Sequence, residues 1–569
     1  MKHIFHFLTF LVMATSGFAQ HSISKVKQKT IDSLLEKHNG KRPGYALGIV
    51  QNGELVYSKG YGKANLDYDV GISDSSAFYI GSMAKQFTAA ALLILESEGK
   101  LDLKKPVTDY LSDFPIYDHE ITVEHLVHHT GGIRETNSLQ LFQGIDRKFE
   151  EVFDTNDIYN LVKAQKELNF KPGSEYRYSS GGYAVLAKMI EEVSGQPLRT
   201  FLQERVFDVL EMKDTFVSDN HNEIVPNRAV SYWPIDGEKY ERRSQVFDAY
   251  GDGGIITTVQ DLAKWDSAFY NDLLGVPGFS EKMYQKGVLN NGNQIDYALA
   301  LNVWEYKGQK VIQHNGGMLG FRVDMVRFPK EKTTVILLGN SAYLDPTGDA
   351  LKVAEIVLDG IFKDIKKENK KTTELSPNVD LPIVTSKKRT GYYWTDQMNY
   401  YRRISFENDS LFLDSGNSEQ RQFLLPVSQN EYILPYSNGK TKLHFDSEND
   451  KAPLEIHFEN VQRIFRKFDA TPPKNIEELN KYVGVYESKE LNTVYTFINE
   501  NDKLYLHINY NQPIQIYPVE VNSNIVWNGK EMVWIGFGEI KFEINEDRVV
   551  NGFSIGDQRV SGVYFKKIK

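Results

Sequence analysis

A serine and a lysine three residues apart, Ser82 and Lys85 in Gly81-Ser82-Met83-Ala84-Lys85, stand at the mouth of an apolar run from Phe87 to Leu95. On a helix starting there the two side chains share a face, so the amine can reach the hydroxyl proton and release an oxygen nucleophile. The unpaired N–H groups and positive end of that helix stabilise a developing alkoxide and disfavour an ammonium nearby. Lys85, one turn into a helix that reads as buried all round, also loses solvation, which favours the neutral amine a base requires. The pair suits acyl transfer.

Two further segments carry groups such chemistry needs. Tyr178, in the loop Lys171 to Tyr178 ahead of an amphipathic stretch, can project a phenol into a cleft and relay a proton between nucleophile and leaving group. Ser180 follows two residues later. His314-Asn315-Gly316-Gly317 ends a strand-like run, where glycines let backbone approach a substrate and the Gly317 N–H could pair with that of Ser82 as an oxyanion hole. Each segment also has a plainer reading. Ser82 and Lys85 could be a helix cap and a solvated side chain, Tyr178 a packing residue, and the glycines a β-bulge carrying a hydrogen-bonded histidine.

Other candidates are weaker. Gly552-Phe553-Ser554-Ile555-Gly556 matches the spacing of a nucleophile elbow, but no histidine follows it, and it reads as a turn. His125, His128 and His129 lack a metal-ligand pattern and read as support for the fold near the cleft. No metal or cofactor is expected.

The elements that must hold these groups can be sketched from pattern. Thr30 to His38 reads as a helix, and Tyr45 to Val50 with Glu54 to Gly60 flank Asn52-Gly53, a hairpin signal. Gln309 to His314, Phe321 to Phe328 and Thr333 to Leu338 read as strands. Asp157 to Lys166, Gly182 to Val193, Val259 to Phe269 and Ala350 to Phe362 read as helices. Strands at both ends with helices between predict one α+β unit whose ends meet in a mixed sheet. Past the lysine- and glutamate-rich stretch 364–384, a linker, the pattern becomes short alternating strands that repeat. Gly391-Tyr392-Tyr393 recurs as Gly484-Val485-Tyr486, and Asn408 to Leu413 recurs as Asn501 to Leu506, both shifted by 93 residues. Two small β-domains, 385–470 and 475–569, are expected.

The 569-residue chain has no cysteine, a formal net charge of −10 and 41% hydrophobic residues. It is long enough for three or four globular cores, the acidic balance argues against nucleic acid as a partner, and no disulfide or cysteine–zinc site is available. Residues 1–19 read as a cleavable signal peptide, Lys2 and His3 preceding an apolar stretch and then Ser16-Gly17-Phe18-Ala19. A periplasmic or secreted product without a stable membrane span follows, with residues 20–363 as its catalytic part.

In order, these segments resemble the serine hydrolases related to class C β-lactamases and penicillin-binding D,D-peptidases. That family carries Ser-x-x-Lys, Tyr-x-Asn and Lys- or His-x-Gly, matched here by Ser82/Lys85, Tyr178/Ser180 and His314/Gly316. The framing segments Ile121 to Gly132, Tyr178 to Leu198 and Gly251 to Trp265 belong to the likeness, which spans roughly Thr30 to Phe362. It implies a β-lactamase-like domain with an antiparallel sheet flanked by helices plus a helical subdomain, followed here by two lipocalin-like β-barrels. It also implies catalytic roles for Ser82, Lys85, Tyr178 and His314, with Ser180, Gly316 and Gly317 facing substrate or oxyanion.

Two positions depart from the pattern. Ser180 replaces an asparagine and reaches less far. His314 replaces the lysine of β-lactamases and weakens the charge that greets a β-lactam carboxylate, which resembles the esterase and D-aminopeptidase branches. The expected function is hydrolysis of a small ester or amide through an acyl-enzyme, a D-amino-acid peptide among the candidates. A weakly catalytic binding protein on the same fold, and a β-lactamase or D,D-carboxypeptidase, stay open, as does self-association through the β-domains.

Overall fold

The computed structural model describes residues 23–145, 152–236, 239–363, 387–395, 400–414, 421–434, 441–445, 453–458, 461–468, 479–509, 513–519, 525–527, 539–547 and 549–569. The stretches read from the sequence as a signal peptide, 1–19, and as a linker, 364–384, lie outside these residues.

The first helix, α1 (Lys25–Leu35), begins at Ser24, whose hydroxyl accepts the Lys27 N–H. Strands β1 (Tyr45–Gln51) and β2 (Glu54–Tyr61) form the hairpin that Asn52-Gly53 signals, both turn residues having positive φ. The central helix α2 (Lys85–Ser97) is buried from Lys85 to Leu95, as its continuous apolar run requires. Two more helices matter for the site: α3 (Ser180–Ser194), capped by Ser179, and α4 (Val259–Ser267), capped by Thr258. Strands β3 (Asn302–Tyr306), β4 (Gln309–Gln313), β5 (Gly316–Met318), β6 (Phe321–Phe328) and β7 (Thr333–Gly339) lead to α5 (Pro346–Val357). That last helix starts four residues before the apolar pattern does, because Asp345 caps it and Pro346 fits its first position.

The strands form one seven-stranded sheet in the order β3-β4-β6-β7-β1-β2, with β5 paired to β6. The chain ends do meet, β1 lying on β7 from Tyr45↔Gly339 to Gln51↔Thr333. Each pairing in this sheet is antiparallel, not mixed. Alternate β1 side chains serve two cores: Tyr45, Leu47 and Ile49 pack with α1 and α5, while Ala46 and Val50 face the core containing α2 and α3. Helix α4 is tied to the sheet by a buried ion pair, Arg327 Nε to Asp266 Oδ1 at 2.7 Å, with Thr334 donating to the same oxygen.

Two closed, eight-stranded antiparallel barrels follow, from Gly391 to Phe468 and from Gly484 to Lys567. The 93-residue repeat is structural. Strands Gly391–Thr395, Tyr400–Glu407, Ser410–Asp414 and Arg421–Pro426 start 93 residues before Gly484–Ser488, Thr493–Glu500, Lys503–Ile508 and Ile514–Val519. Asn408-Asp409 and Asn501-Asp502 make the same hairpin turn, all four with positive φ. The elbow-like Gly552–Gly556 lies within strand Val550–Gly556, not in a turn.

The second barrel is built into the catalytic unit. Leu139, Phe142 and Leu161 share its hydrophobic core with Tyr486, Tyr495 and Phe553. Buried Arg134 donates to Glu490 at 2.7 Å, and Tyr495 to the Phe142 carbonyl at 2.8 Å. Among the described residues no helix is long and apolar enough to cross a membrane.

Candidate active site

Ser82 lies in a 3-10 turn, Gly81–Ala84, that runs directly into α2 at Lys85. Lys85 is fully buried, and its Nζ donates to Ser82 Oγ at 3.2 Å and to the Asp252 carbonyl at 2.6 Å. The amine therefore lies against the hydroxyl it would deprotonate, held from behind by the loop at Gly251–Gly254. That loop is itself tied down: Thr88 donates to the Gly251 carbonyl at 2.7 Å, and the Gly254 N–H to Tyr79 at 2.8 Å.

Tyr178 arrives from the loop ahead of α3. Its ring centroid is 5.0 Å from Lys85 Nζ, and its buried hydroxyl has no hydrogen-bond partner among the described residues. His129 holds this loop in place, accepting the Ser179 N–H at Nδ1 (3.2 Å) with its ring 4.1 Å from that of Tyr178. Burial and nearby Lys85 hold the His129 imidazole well below its usual range, so it acts as a neutral acceptor. His125 closes a capping box with Thr122, and His128 is buried and pushed down to about 4 by that burial. The three histidines are parts of the frame.

Strand β5 closes the other side. Gly316 is buried so tightly against the turn that a side-chain carbon there would fall 1.9 Å from the Ile80 carbonyl oxygen. Gly317 is exposed, and its nitrogen lies beside Gly81, the residue before Ser82. His314, at the end of β4, has both ring nitrogens engaged, Nε2 with the Tyr297 hydroxyl at 3.1 Å and Nδ1 with the Asn315 carbonyl at 2.6 Å. Burial, reinforced by Lys85, pushes it down to about 3, and it carries no charge near neutral pH. Ser180 is buried at the start of α3 and its N–H donates to Glu135 Oε2 at 3.0 Å.

The seven residues singled out in the sequence are therefore brought together around Ser82 and Lys85. Asp252, Glu135, His129, Tyr297 and Arg559 join them without a motif of their own. Asp252 was within reach of inspection, since Gly251-Asp252-Gly253-Gly254 is an unusual run. Its carboxyl is raised, first by burial, while Lys85 and Ser180 favour its anion. Arg559 comes from the second barrel, and no local pattern links it to the site.

Residues 28–358 match the Beta-lactamase family model. The chain is 26% identical over 422 residues to penicillin-binding protein 4* of Bacillus subtilis, covering 72% of this chain and 90% of that one. It is 26% identical over 307 residues to the D-aminopeptidase of Brucella canis, covering 53% of this chain and 57% of that relative. Among solved structures, the octameric penicillin-binding protein homologue from Pyrococcus abyssi shares the fold at a TM-score of 0.54 and 21% identity, over 77% of this chain and 99% of that one. With more than half its length matched by the family model, the chain belongs to the Beta-lactamase family and is a serine hydrolase.

Proposed function

We propose that this serine hydrolase is exported and cleaves a small amide or ester, D-amino-acid peptides being the favoured class, through an acyl-enzyme on Ser82. The observation that carries the reading is the 3.2 Å contact of Lys85 Nζ with Ser82 Oγ inside a buried site, beside a tyrosine hydroxyl with no partner among the described residues. Lys85 takes the hydroxyl proton as Ser82 Oγ attacks the substrate carbonyl carbon. The N–H groups of Ser82 and Gly317 receive the oxyanion, and such a donor contributes about 3 kcal/mol of transition-state stabilisation. The proton passes from Lys85 through Tyr178 to the leaving nitrogen or oxygen, and water then cleaves the acyl-serine bond by the reverse relay. His314, with both nitrogens engaged, orients the end of β4 rather than moving protons. The D-aminopeptidase and penicillin-binding relatives support the substrate class, and the neutral His314 argues against efficient β-lactam hydrolysis.

A fluorophosphonate probe tests the mechanism. Stoichiometric labelling abolished by Ser82→Ala is expected, whereas a non-catalytic binding protein would show little labelling in either form. Turnover of D-amino-acid amides, p-nitrophenyl esters and a chromogenic cephalosporin then ranks the substrates.

A further inference from the structure

The second barrel sends the loop between its last two strands, Asp557 to Gly562, into the catalytic cleft, and this loop is pinned at almost each position. Asp557 accepts the N–H groups of Arg559 and Val560 and the hydroxyl of Ser138. Asn169 brackets Arg559, donating to its carbonyl and accepting the Ser561 N–H, both at 2.7 Å. Arg177 donates to the Ser561 hydroxyl at 2.8 Å, and Arg134 to the Gly562 carbonyl at 3.3 Å. The side chain this scaffold presents is Arg559, whose guanidinium lies 5.2 Å from the centre of the Tyr178 ring.

Arg559 is half-exposed, and among the described residues its close ion pair is a 3.5 Å approach to buried Glu135. Buried Glu135 also accepts the N–H groups of Ser180 and Asn137 at 3.0 and 3.2 Å, so Arg559 shares this carboxylate with two backbone donors. The other cations near the cleft are committed elsewhere. Lys85 is buried on Ser82 and Asp252, Arg322 donates to the Leu319 and Phe321 carbonyls, and His314 is neutral. A rigidly delivered guanidinium with donors to spare, at the tyrosine that faces the leaving group, is suited to bind a carboxylate.

We propose that Arg559 forms an anion subsite in which the second barrel reads a carboxylate carried on the leaving-group side of the substrate. Legs of 3.2, 5.0 and 5.2 Å lead from Ser82 Oγ through Lys85 and the Tyr178 ring to the guanidinium. The carboxylate proposed is one carried one or two residues beyond the scissile bond, about 7 Å of extended chain at most. The inference rests on the assignment of Tyr178 to the leaving group.

The test uses the full chain and a matched pair of esters, 3-carboxyphenyl acetate and its uncharged counterpart 3-carbamoylphenyl acetate. Wild type should prefer the anionic ester roughly 10- to 100-fold in kcat/KM, the range for a hydrogen bond to a charged group. Arg559→Gln should bring the ratio to near one by slowing the anionic ester far more than the neutral one, with fluorophosphonate labelling still detectable. Raising NaCl from 0.05 to 1 M should erode the wild-type preference, an arm that needs no variant. Equal rates for the two esters, or a preference that survives both Arg559→Gln and salt, would overturn the subsite while leaving the hydrolase intact. Wild type that fails to label at all would bring down the mechanism, and the subsite with it.

Discussion

Gly81 and Gly317, 236 positions apart in the chain, meet back to back at the nucleophile: a side-chain carbon built on Gly81 would lie 2.9 Å from the Gly317 nitrogen. Gly81 also has a φ of 51°, which a side chain occupies only under strain. Gly81→Ala is therefore expected to push β5 away from Ser82 and misplace one oxyanion donor. A fall in kcat of about 100-fold follows, the scale of one lost donor. Steady-state kinetics alongside thermal unfolding would check it, and unchanged kcat in a folded variant would remove Gly317 from the oxyanion site.

Removing either proton-transfer group should slow turnover without abolishing folding. Lys85→Ala and Tyr178→Phe are each expected to lower kcat by roughly 10²–10⁴. Tyr178→Phe is the cleaner variant, since the lost hydroxyl has no partner to strand among the described residues. The rate of fluorophosphonate labelling reads the acylation half-reaction. A Lys85→Ala variant that labels at the wild-type rate would show that another group activates Ser82.

Two buried groups should tilt the pH–stability curve in opposite directions. Asp324 is buried, bonded by Thr347 and the Met325 N–H, and burial raises it from 3.8 to about 7. Its folded form favours the proton, so its contribution is complete below pH 3.8 and is lost as pH rises through 7, a change of about 4 kcal/mol. Asp324→Asn keeps a carbonyl oxygen for the Met325 N–H and turns its NH2 towards the Thr347 hydroxyl, which can accept, and it should raise the unfolding midpoint at pH 8 and flatten the curve between pH 4 and 7. His314 runs the other way: lowered from 6.5 to about 3, it contributes stability above pH 6.5 that is lost as pH falls towards 3. For the same reason no limb of the pH–rate profile between 5 and 8 should disappear in His314→Gln. Denaturant melts across this range, with kinetics beside them, check both.

Much of the site was legible because its chemistry rests on short local patterns. Ser82 and Lys85 share a turn of one helix, and Tyr178 immediately precedes the cap of another, so spacing alone places them. The barrels were legible because a duplication writes itself twice, down to the paired turns at Asn408 and Asn501. Asp252 was harder to read, because its main-chain carbonyl is what holds Lys85, and a carbonyl carries no residue identity. Arg559 and Glu135 come together only through docking of the second barrel onto the catalytic unit, a relationship across more than 400 positions that no periodicity records. The mixed sheet was misjudged because pattern gives strands but not their direction.

The docking of that barrel should be obligatory for stability. Arg134, with a side chain 2% exposed, spends one nitrogen on Gln165 and Glu490 and the other on the Gly562 carbonyl. Glu490→Ala would leave its charge buried beside uncharged acceptors and the distant Glu167 at 3.9 Å, a loss of about 3 kcal/mol. Because Leu139 and Phe142 belong to the barrel's own core, separating the two units exposes apolar surface on both. Calorimetry should show the catalytic unit and second barrel melting in a single transition that moves down in Glu490→Ala. If instead the variant splits that transition in two while turnover at 25 °C is unchanged, the barrel is an independent appendage and the cleft does not need it.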